Sequence, residues 1–382
     1  MEHLAQEKQI KDALQSALQG SVDAGVPGIV AAISTSKGLI WSSSAGQASL
    51  EKSQLVDTTY LFGIGSITKV FVAVVIFQLI EEKKLALSTK LGEILSQEVL
   101  DGIANAPEAT INTLLNHTSG VESWEDDPIW RVEGRGRNLD PARIWEKTDP
   151  LKYIRRPNPS GPKLGDWDYS NTGYTLLGLT IEKLTGKTAE SEIRRRILKP
   201  LDMRSTFLEG FEEPGEGSIP SRYHWATETF IESAGICPAF TKPRKDLINV
   251  SASNLSVEWT AGGIMSSASD LLKFITALRD GRLVSASSLD VMRTWRAAEE
   301  TTEQGHGIFR WASPKGYGTW IGHHGGVLGF TASLWWKEDG DVAVCILSNV
   351  GTMHCGDVPS SSGRVFARSD FLKLAVGLSA CL

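Results

Sequence analysis

Ile10, Leu14 and Leu18 recur every four residues within the charged opening segment MEHLAQEKQIKDALQSALQG, which predicts an amphipathic helix ending near Gly20. GIVAAIST (28–35) and LIWSSSAGQA (39–48) then read as two β segments around the turn-forming Lys37 and Gly38. Near the other end, FTASLWWK (330–337) and DVAVCILSN (341–349) flank Glu338-Asp339-Gly340, a hairpin signal because an Asp-Gly pair tolerates positive φ. Between these ends the period lengthens. VFVAVVIFQLIEEKKL, TINTLLNH, YTLLGLTIEKLTGK, ESEIRRRILKPL and ASDLLKFITALRDG have helical length or spacing and end in breakers.

This distribution predicts an α+β fold, an antiparallel sheet flanked by N- and C-terminal helices with a mostly helical insertion. The expected boundaries are 1–65 and 280–382 for a discontinuous sheet-containing domain and 66–279 for the helical one, with the active site between them. Two stretches, 122–168 and 208–259, are rich in Pro, Gly, Trp and charge, the composition of lids or binding loops. The tail after Asn349 is expected to hold a final helix packed on the sheet.

Composition narrows the class. Of 382 residues, 41% are hydrophobic and 22% charged, enough for a large core. The net charge of −6 is small and the basic residues are spread out, so neither nucleic acid nor an anionic membrane is an expected partner. The longest apolar run, Val70 to Phe77, falls far short of the ~20 residues of a membrane span. The first twenty residues lack the continuous apolar stretch of a secretory signal, so a cytoplasmic location is expected. The four cysteines, Cys237, Cys345, Cys355 and Cys381, show no paired metal-ligand spacing; reduced thiols are the default and disulfides are unsupported. No metal or organic cofactor is expected.

The candidate chemistry begins with serine, which needs a base within hydrogen-bond reach to act as a nucleophile. Ser-x-x-Lys on a helix supplies one, because residues three apart share a face. The spacing occurs four times, at Ser34/Lys37, Ser49/Lys52, Ser66/Lys69 and Ser160/Lys163, but only Ser66 follows a glycine turn and opens a long apolar helix. There the helix dipole and partial desolvation would favour a neutral Lys69 amine. An N-cap serine beside a solvated lysine would show the same spacing.

Four motifs in order carry a resemblance that decides between these: Phe62-Gly-Ile-Gly-Ser66-Ile-Thr-Lys69, Leu114-Leu-Asn-His-Thr-Ser-Gly120, Asp168-Tyr169-Ser170-Asn171-Thr-Gly-Tyr174 and Gly322-His323-His324-Gly325-Gly326. Val26-Pro27-Gly28, Pro200-Leu201-Asp202-Met203 and Gly262-Gly263-Ile264-Met265-Ser266 agree with them. From about residue 10 to about 350 the chain resembles the β-lactamase-like, penicillin-recognising serine hydrolases. That family includes class C β-lactamases, D-alanyl-D-alanine carboxypeptidases, D-aminopeptidases, family VIII esterases and fungal acyltransferases of statin biosynthesis.

The resemblance implies that Ser66 is the acylated nucleophile and that Lys69 and the Tyr169 hydroxyl share base and acid duties, which of the two acts first being open. It implies that Asn171 orients Lys69 and the substrate's acyl group. His323 to Gly325 would line the opposite wall of the cleft on an edge strand. The backbone N–H groups of Ser66 and Gly326 would form the oxyanion hole, a device worth ~3 kcal/mol per donor. His117 reads as a structural turn feature, and His324 as facing away from its neighbour.

One position departs from the family pattern. β-Lactamases and many carboxypeptidases carry lysine where this chain has His323, and a histidine with an ordinary pKa of ~6.5 holds a carboxylate less firmly. The variant with histidine resembles D-aminopeptidases, D-amino-acid amidases and some esterases. Trp124, Trp130, Trp145 and Trp167, with Trp225 and Trp259 in the second long segment, either shape an apolar acyl pocket or anchor the loops. The expected function is hydrolysis of a small ester or amide, or a short peptide, through an acyl-Ser66 intermediate, with esters ahead of D-specific amides. Acyl transfer to an alcohol or amine is the second enzyme reading, and a non-catalytic ligand-binding protein is the reading from another class.

Overall fold

The computed structural model describes residues 2–156 and 158–382. Its frame is a nine-stranded antiparallel sheet. In spatial order the strands are Arg296–Glu299, Thr302–Gln304, Phe309–Ala312, Thr319–Val327, Phe330–Lys337, Ala343–Ser348, Gly28–Thr35, Gly38–Ser49 and Gln54–Leu55. The β regions read at the two ends of the chain are therefore one sheet, joined where Ile29 lies opposite Ser348 and Ser34 opposite Ala343.

Strand period two sorts the residues between two faces. Ile29, Ala31, Ile33, Trp335, Val344 and Ile346 look towards one core, closed by the helices Glu2–Asp23, Ser362–Arg368 and Phe371–Ala380. Val30, Ala32, Leu334, Trp336, Cys345 and Leu347 look towards the other, shared with the central helices. Because both faces are covered, Gly28–Thr35 is buried at every residue and reads as a continuous run.

The opening helix passes Gly20 and ends at Asp23, with Gly25 taking the positive φ of 102° that closes it. A helix-interior glycine costs only ~1 kcal/mol relative to alanine, and Leu14 and Leu18, fully buried, keep the last turns docked. At the other end the tail forms two helices rather than one.

The expected helices are found at Thr68–Glu81, Ile111–Leu115, Asn171–Thr185, Ala189–Ile193 and Ala268–Arg279, the fourth running on through a wide π turn, Arg194–Leu198. Ala268–Arg279, read as part of the helical insertion, packs directly on Gly28–Thr35 and Ala343–Ser348. In the segment 122–156 the regular structure is a succession of short helical turns, Trp124–Asp126, Pro128–Trp130, Arg131–Arg135 and Asp149–Ile154. The segment 208–259 contributes Tyr223–Trp225, Thr241–Arg244 and Leu247–Asn249 to a small sheet completed by Val350–Gly351. Trp124, Trp130, Trp145, Trp225 and Trp259 are all buried in the two cores, so these five rings anchor the loops. Among the described residues no helix is long and apolar enough to cross a membrane, and all four cysteines are buried and unpaired.

Candidate active site

Two glycines bring the first and last motifs together. Phe62–Gly63 pairs with Ile264–Ser266, and the chain then turns through Gly65–Ile67, one 3₁₀ turn that runs into the helix Thr68–Glu81. Gly65 has φ +54°, and a Cβ there would sit 2.6 Å from the Gly326 nitrogen. A Cβ on Gly325 would run into the Ile64 carbonyl oxygen and lie 3.1 Å from the Ser66 nitrogen. Only glycine permits this approach of turn and strand. It sets Ser66 and Gly326, the expected oxyanion-hole donors, on one seam.

The strand Thr319–Val327 is not an edge strand of the sheet, since Phe309–Ala312 pairs with it. That partner ends opposite Gly322, however, so His323 to Val327 run past it with a free edge turned to the serine. The short neighbouring strand thus leaves open the wall that the sequence reading placed at a sheet edge.

Lys69 is fully buried one turn beyond the partly exposed Ser66. Its Nζ faces three acceptors, Asn171 Oδ1 at 2.6 Å, the Ala261 carbonyl at 2.8 Å and Ser66 Oγ at 3.1 Å. Burial pulls its pKa down to about 7, against the opposing pull of the Glu125 and Glu258 charges. A neutral amine has two N–H groups and one lone pair. The two nearer acceptors take the N–H groups, which leaves the lone pair for the Ser66 hydroxyl.

Tyr169 is held from both sides by His117. Asp168 N donates to the His117 carbonyl at 2.8 Å, Ser170 N donates to His117 Nδ1 at 3.1 Å, and the imidazole stacks on the Tyr169 ring at 4.2 Å. His117 has φ +57°, and burial lowers its pKa well below the usual value, so it is a neutral clamp, as the turn reading expects. The Lys69 Nζ lies 4.9 Å from the Tyr169 ring centre. Burial pushes the phenol well above its ordinary range, the Ser66 side chain pulling the other way. The Tyr169 hydroxyl has no hydrogen-bond partner among the described residues.

Ser170 caps the helix Asn171–Thr185, accepting from Gly173 N at 3.2 Å, which leaves Asn171 as the first helical residue with its side chain on Lys69. The Asn171 Nδ2 donates to Glu125. The carboxamide therefore orients the lysine, while its nitrogen is turned to a buried carboxylate and not to the cleft.

His323 Nδ1 meets the His324 carbonyl, which makes Nδ1 the protonated nitrogen and leaves Nε2 as an acceptor. Nε2 is buried without a partner among the described residues, and the ring lies 4.7 Å from Phe309 and 6.4 Å from Tyr169, centre to centre. Burial lowers the His323 pKa to about 3, the backbone hydrogen bond opposing and the Lys69 and His324 charges assisting. A neutral ring offering a lone pair repels a carboxylate. His324 turns to the opposite face, against Ser333 Oγ at 2.9 Å and the Trp335 and Phe366 rings.

Sequence reasoning missed the side chains behind the lysine. Arg135 is buried and its Nη2 pairs with both Glu125 and Glu258, the latter at 2.9 Å. Nothing in the charge-rich stretch RVEGRGRN marks Arg135; only the neighbouring Gly262-Gly263 motif points to the segment that carries Glu258 and Ala261. Among the described residues no three His, Cys, Asp or Glu side chains converge as a metal site would require.

Residues 9–356 match the family described as Beta-lactamase. Among curated proteins the chain is 26% identical over 290 residues to the putative penicillin-binding protein PbpX of Bacillus subtilis (strain 168), covering 76% of this chain and 62% of that protein. It is 28% identical over 211 residues to esterase EstB of Burkholderia gladioli, covering 52% of this chain and 50% of the esterase. The chain thus spans about half to two thirds of the length of these two relatives. Among solved structures, a D-stereospecific amidohydrolase from Streptomyces sp. is similar over 93% of this chain and 97% of its own, with 27% identity and a TM-score of 0.78.

Proposed function

Because the chain belongs to the Beta-lactamase family, we propose that it is a serine hydrolase that cleaves a small, uncharged ester through an acyl-Ser66 intermediate. The observation that carries this reading is the three-acceptor cradle of Lys69, which aims a lone pair at the Ser66 hydroxyl. Lys69 is then the first base, because Tyr169 holds its proton far more tightly than an amine with a pKa of about 7. Tyr169, with no other partner, passes a proton to the leaving oxygen. The Ser66 and Gly326 N–H groups receive the negative charge that develops on the carbonyl oxygen.

The neutral His323 supports an uncharged substrate over one bearing a carboxylate, which counts against a β-lactam or a peptide C-terminus. Esters come first because an alkoxide leaves with less help from an acid than an amine needs, and Tyr169 is a weak acid. A D-amino-acid amide is the second reading, supported by likeness to the D-stereospecific amidohydrolase over nearly the whole of both chains.

Intact-protein mass after brief exposure to a p-nitrophenyl acyl ester tests the route. Wild type is expected to gain the acyl mass and Ser66→Ala to gain none; an unmodified wild type that releases no nitrophenol across several acyl chains would sink the proposal. Tyr169→Phe is expected to lose roughly 10²-fold or more in kcat/KM. Only the neutral amine accepts the serine proton, so kcat/KM should fall roughly tenfold per pH unit below pH 7 and level off above it. A stopped-flow pH profile of acylation measures this, and a flat profile from pH 5 to 8 would exclude Lys69 as the base.

A further inference from the structure

The groups that face Lys69 come from several elements. Tyr169 and Tyr174 present rings at 4.9 and 5.4 Å, Asn171 and Ala261 accept its protons, and the charges of Glu125 and Glu258 act on it. His117 and His323 are close enough to feel its charge and are neutral through burial. Among the described residues the only other cation in contact with this set is Arg135, fixed between Glu125 and Glu258, with its guanidinium 4.9 Å from the Trp130 ring centre. Two carboxylates thus face one guanidinium. The buried shell is electrically balanced when Lys69 is an ammonium and carries one excess negative charge when it is an amine.

Glu258 also shapes the cradle. Its carbonyl accepts from Ala261 N at 2.7 Å and Gly262 N at 3.0 Å, closing the turn whose Ala261 oxygen holds Lys69. The turn forces Trp259 to φ +34°, a conformation side chains rarely adopt and one that persists only where surrounding contacts impose it.

We propose that Glu258, held by Arg135, is a positioning residue whose carboxylate is the counter-ion for the ammonium formed when Lys69 takes the Ser66 proton. This rests on the acyl-serine reading above. As the Ser66 Oγ–C bond forms, the Oγ–H proton moves to Lys69 Nζ and the carbonyl π pair moves to oxygen. On collapse the bond to the leaving oxygen breaks, and that oxygen takes the Tyr169 proton while Lys69 returns one to Tyr169. The shell's excess charge is in place before the step and is neutralised by it, so no group has to reorganise. Burial raises the Glu258 pKa, with the Arg135 charge and hydrogen bond opposing.

The test uses Glu258→Gln, which keeps the oxygen that accepts from Arg135, and reads Lys69 directly by NMR titration of protein labelled with ¹³Cε-lysine, the resonance being assigned by its absence from Lys69→Met. The Lys69 midpoint is expected to fall by about one pH unit or more, with the acidic limb of Ser66 acylation following and the plateau rate dropping roughly tenfold. The double variant Arg135→Met/Glu258→Gln removes one charge of each sign, and its midpoint is expected to return to within about half a unit of wild type. A midpoint and acidic limb in Glu258→Gln within about 0.3 units of wild type would overturn the proposal, as would a double variant displaced further than the single one. If Glu258→Gln does not fold, the double variant decides, since a purely structural Glu258 predicts a larger displacement there. A wild type that takes no acyl group, with a lysine that still follows the Glu258 charge, would instead remove the acyl-serine reading and leave the charge coupling standing.

Discussion

Lys69→Met is expected to lower kcat/KM for a p-nitrophenyl ester by about 10³-fold or more while Ser66 stays in place. Methionine matches the lysine stem in length and suits a site with no exposure, so the change removes the base with little change in shape. Asn171 Oδ1 and the Ala261 carbonyl lose their donor, and the Ser66 hydroxyl loses the lone pair aimed at it. The loss should not add to that of Ser66→Ala, because residues acting as one unit fail together. A Ser66→Ala/Lys69→Met enzyme no slower than Ser66→Ala alone is the expected result. Steady-state kinetics on the four enzymes of the cycle checks it, and a Lys69→Met enzyme within tenfold of wild type would place the base elsewhere.

Gly325→Ala is expected to cost about 10²- to 10³-fold in kcat together with a destabilisation of about 1–3 kcal/mol. The added methyl meets the Ile64 carbonyl oxygen and approaches the Ser66 nitrogen to 3.1 Å. Backbone cannot yield as a flexible side chain would. The turn carrying the serine must back away from the strand, and the two N–H groups on the seam separate. KM should move much less than kcat, because the donors act on charge that develops in the transition state. Gly340→Ala, in the distant hairpin where a Cβ meets only the flexible Lys337 side chain at ordinary contact distance, is the control. Equal kinetics for the two variants would remove the steric argument.

What could be read from the chain follows the range of the forces involved. Ser66 with Lys69, and Tyr169 with Asn171, are short spacings on helix starts, and the fold brings these residues and His323 to one place. Their roles came from the order of four motifs and not from any one of them. The strands Arg296–Glu299 and Thr302–Gln304 gave no signal: the first is a short, mostly exposed edge strand that needs no apolar alternation, and the second is three polar residues held between it and Phe309–Ala312. The small sheet in 208–259 depends on a pairing with Val350–Gly351, which no local pattern records. Arg135 and Glu258 are 123 residues apart in sequence, and a buried ion pair has no periodicity to reveal it. Asn171 was legible as an orienting residue, but the direction of its Nδ2 depends on Glu125, a partner that only the folded chain supplies.

The pairing of Ile29 with Ser348 sets the order of events on the ribosome. The strand that fills the open side of the Gly28–Ser49 hairpin is translated roughly 300 residues after it, tens of seconds at ordinary elongation rates. Throughout that interval a largely apolar strand, buried at every residue in the finished fold, presents unpaired backbone to solvent or to a chaperone. Neither wall of the sheet exists before the last strands arrive, and the seam between Gly65 and Gly325 cannot close earlier. The nascent chain is therefore inert until Ala343–Ser348 has been made, and the yield of active protein depends on how well that hairpin is shielded while it waits.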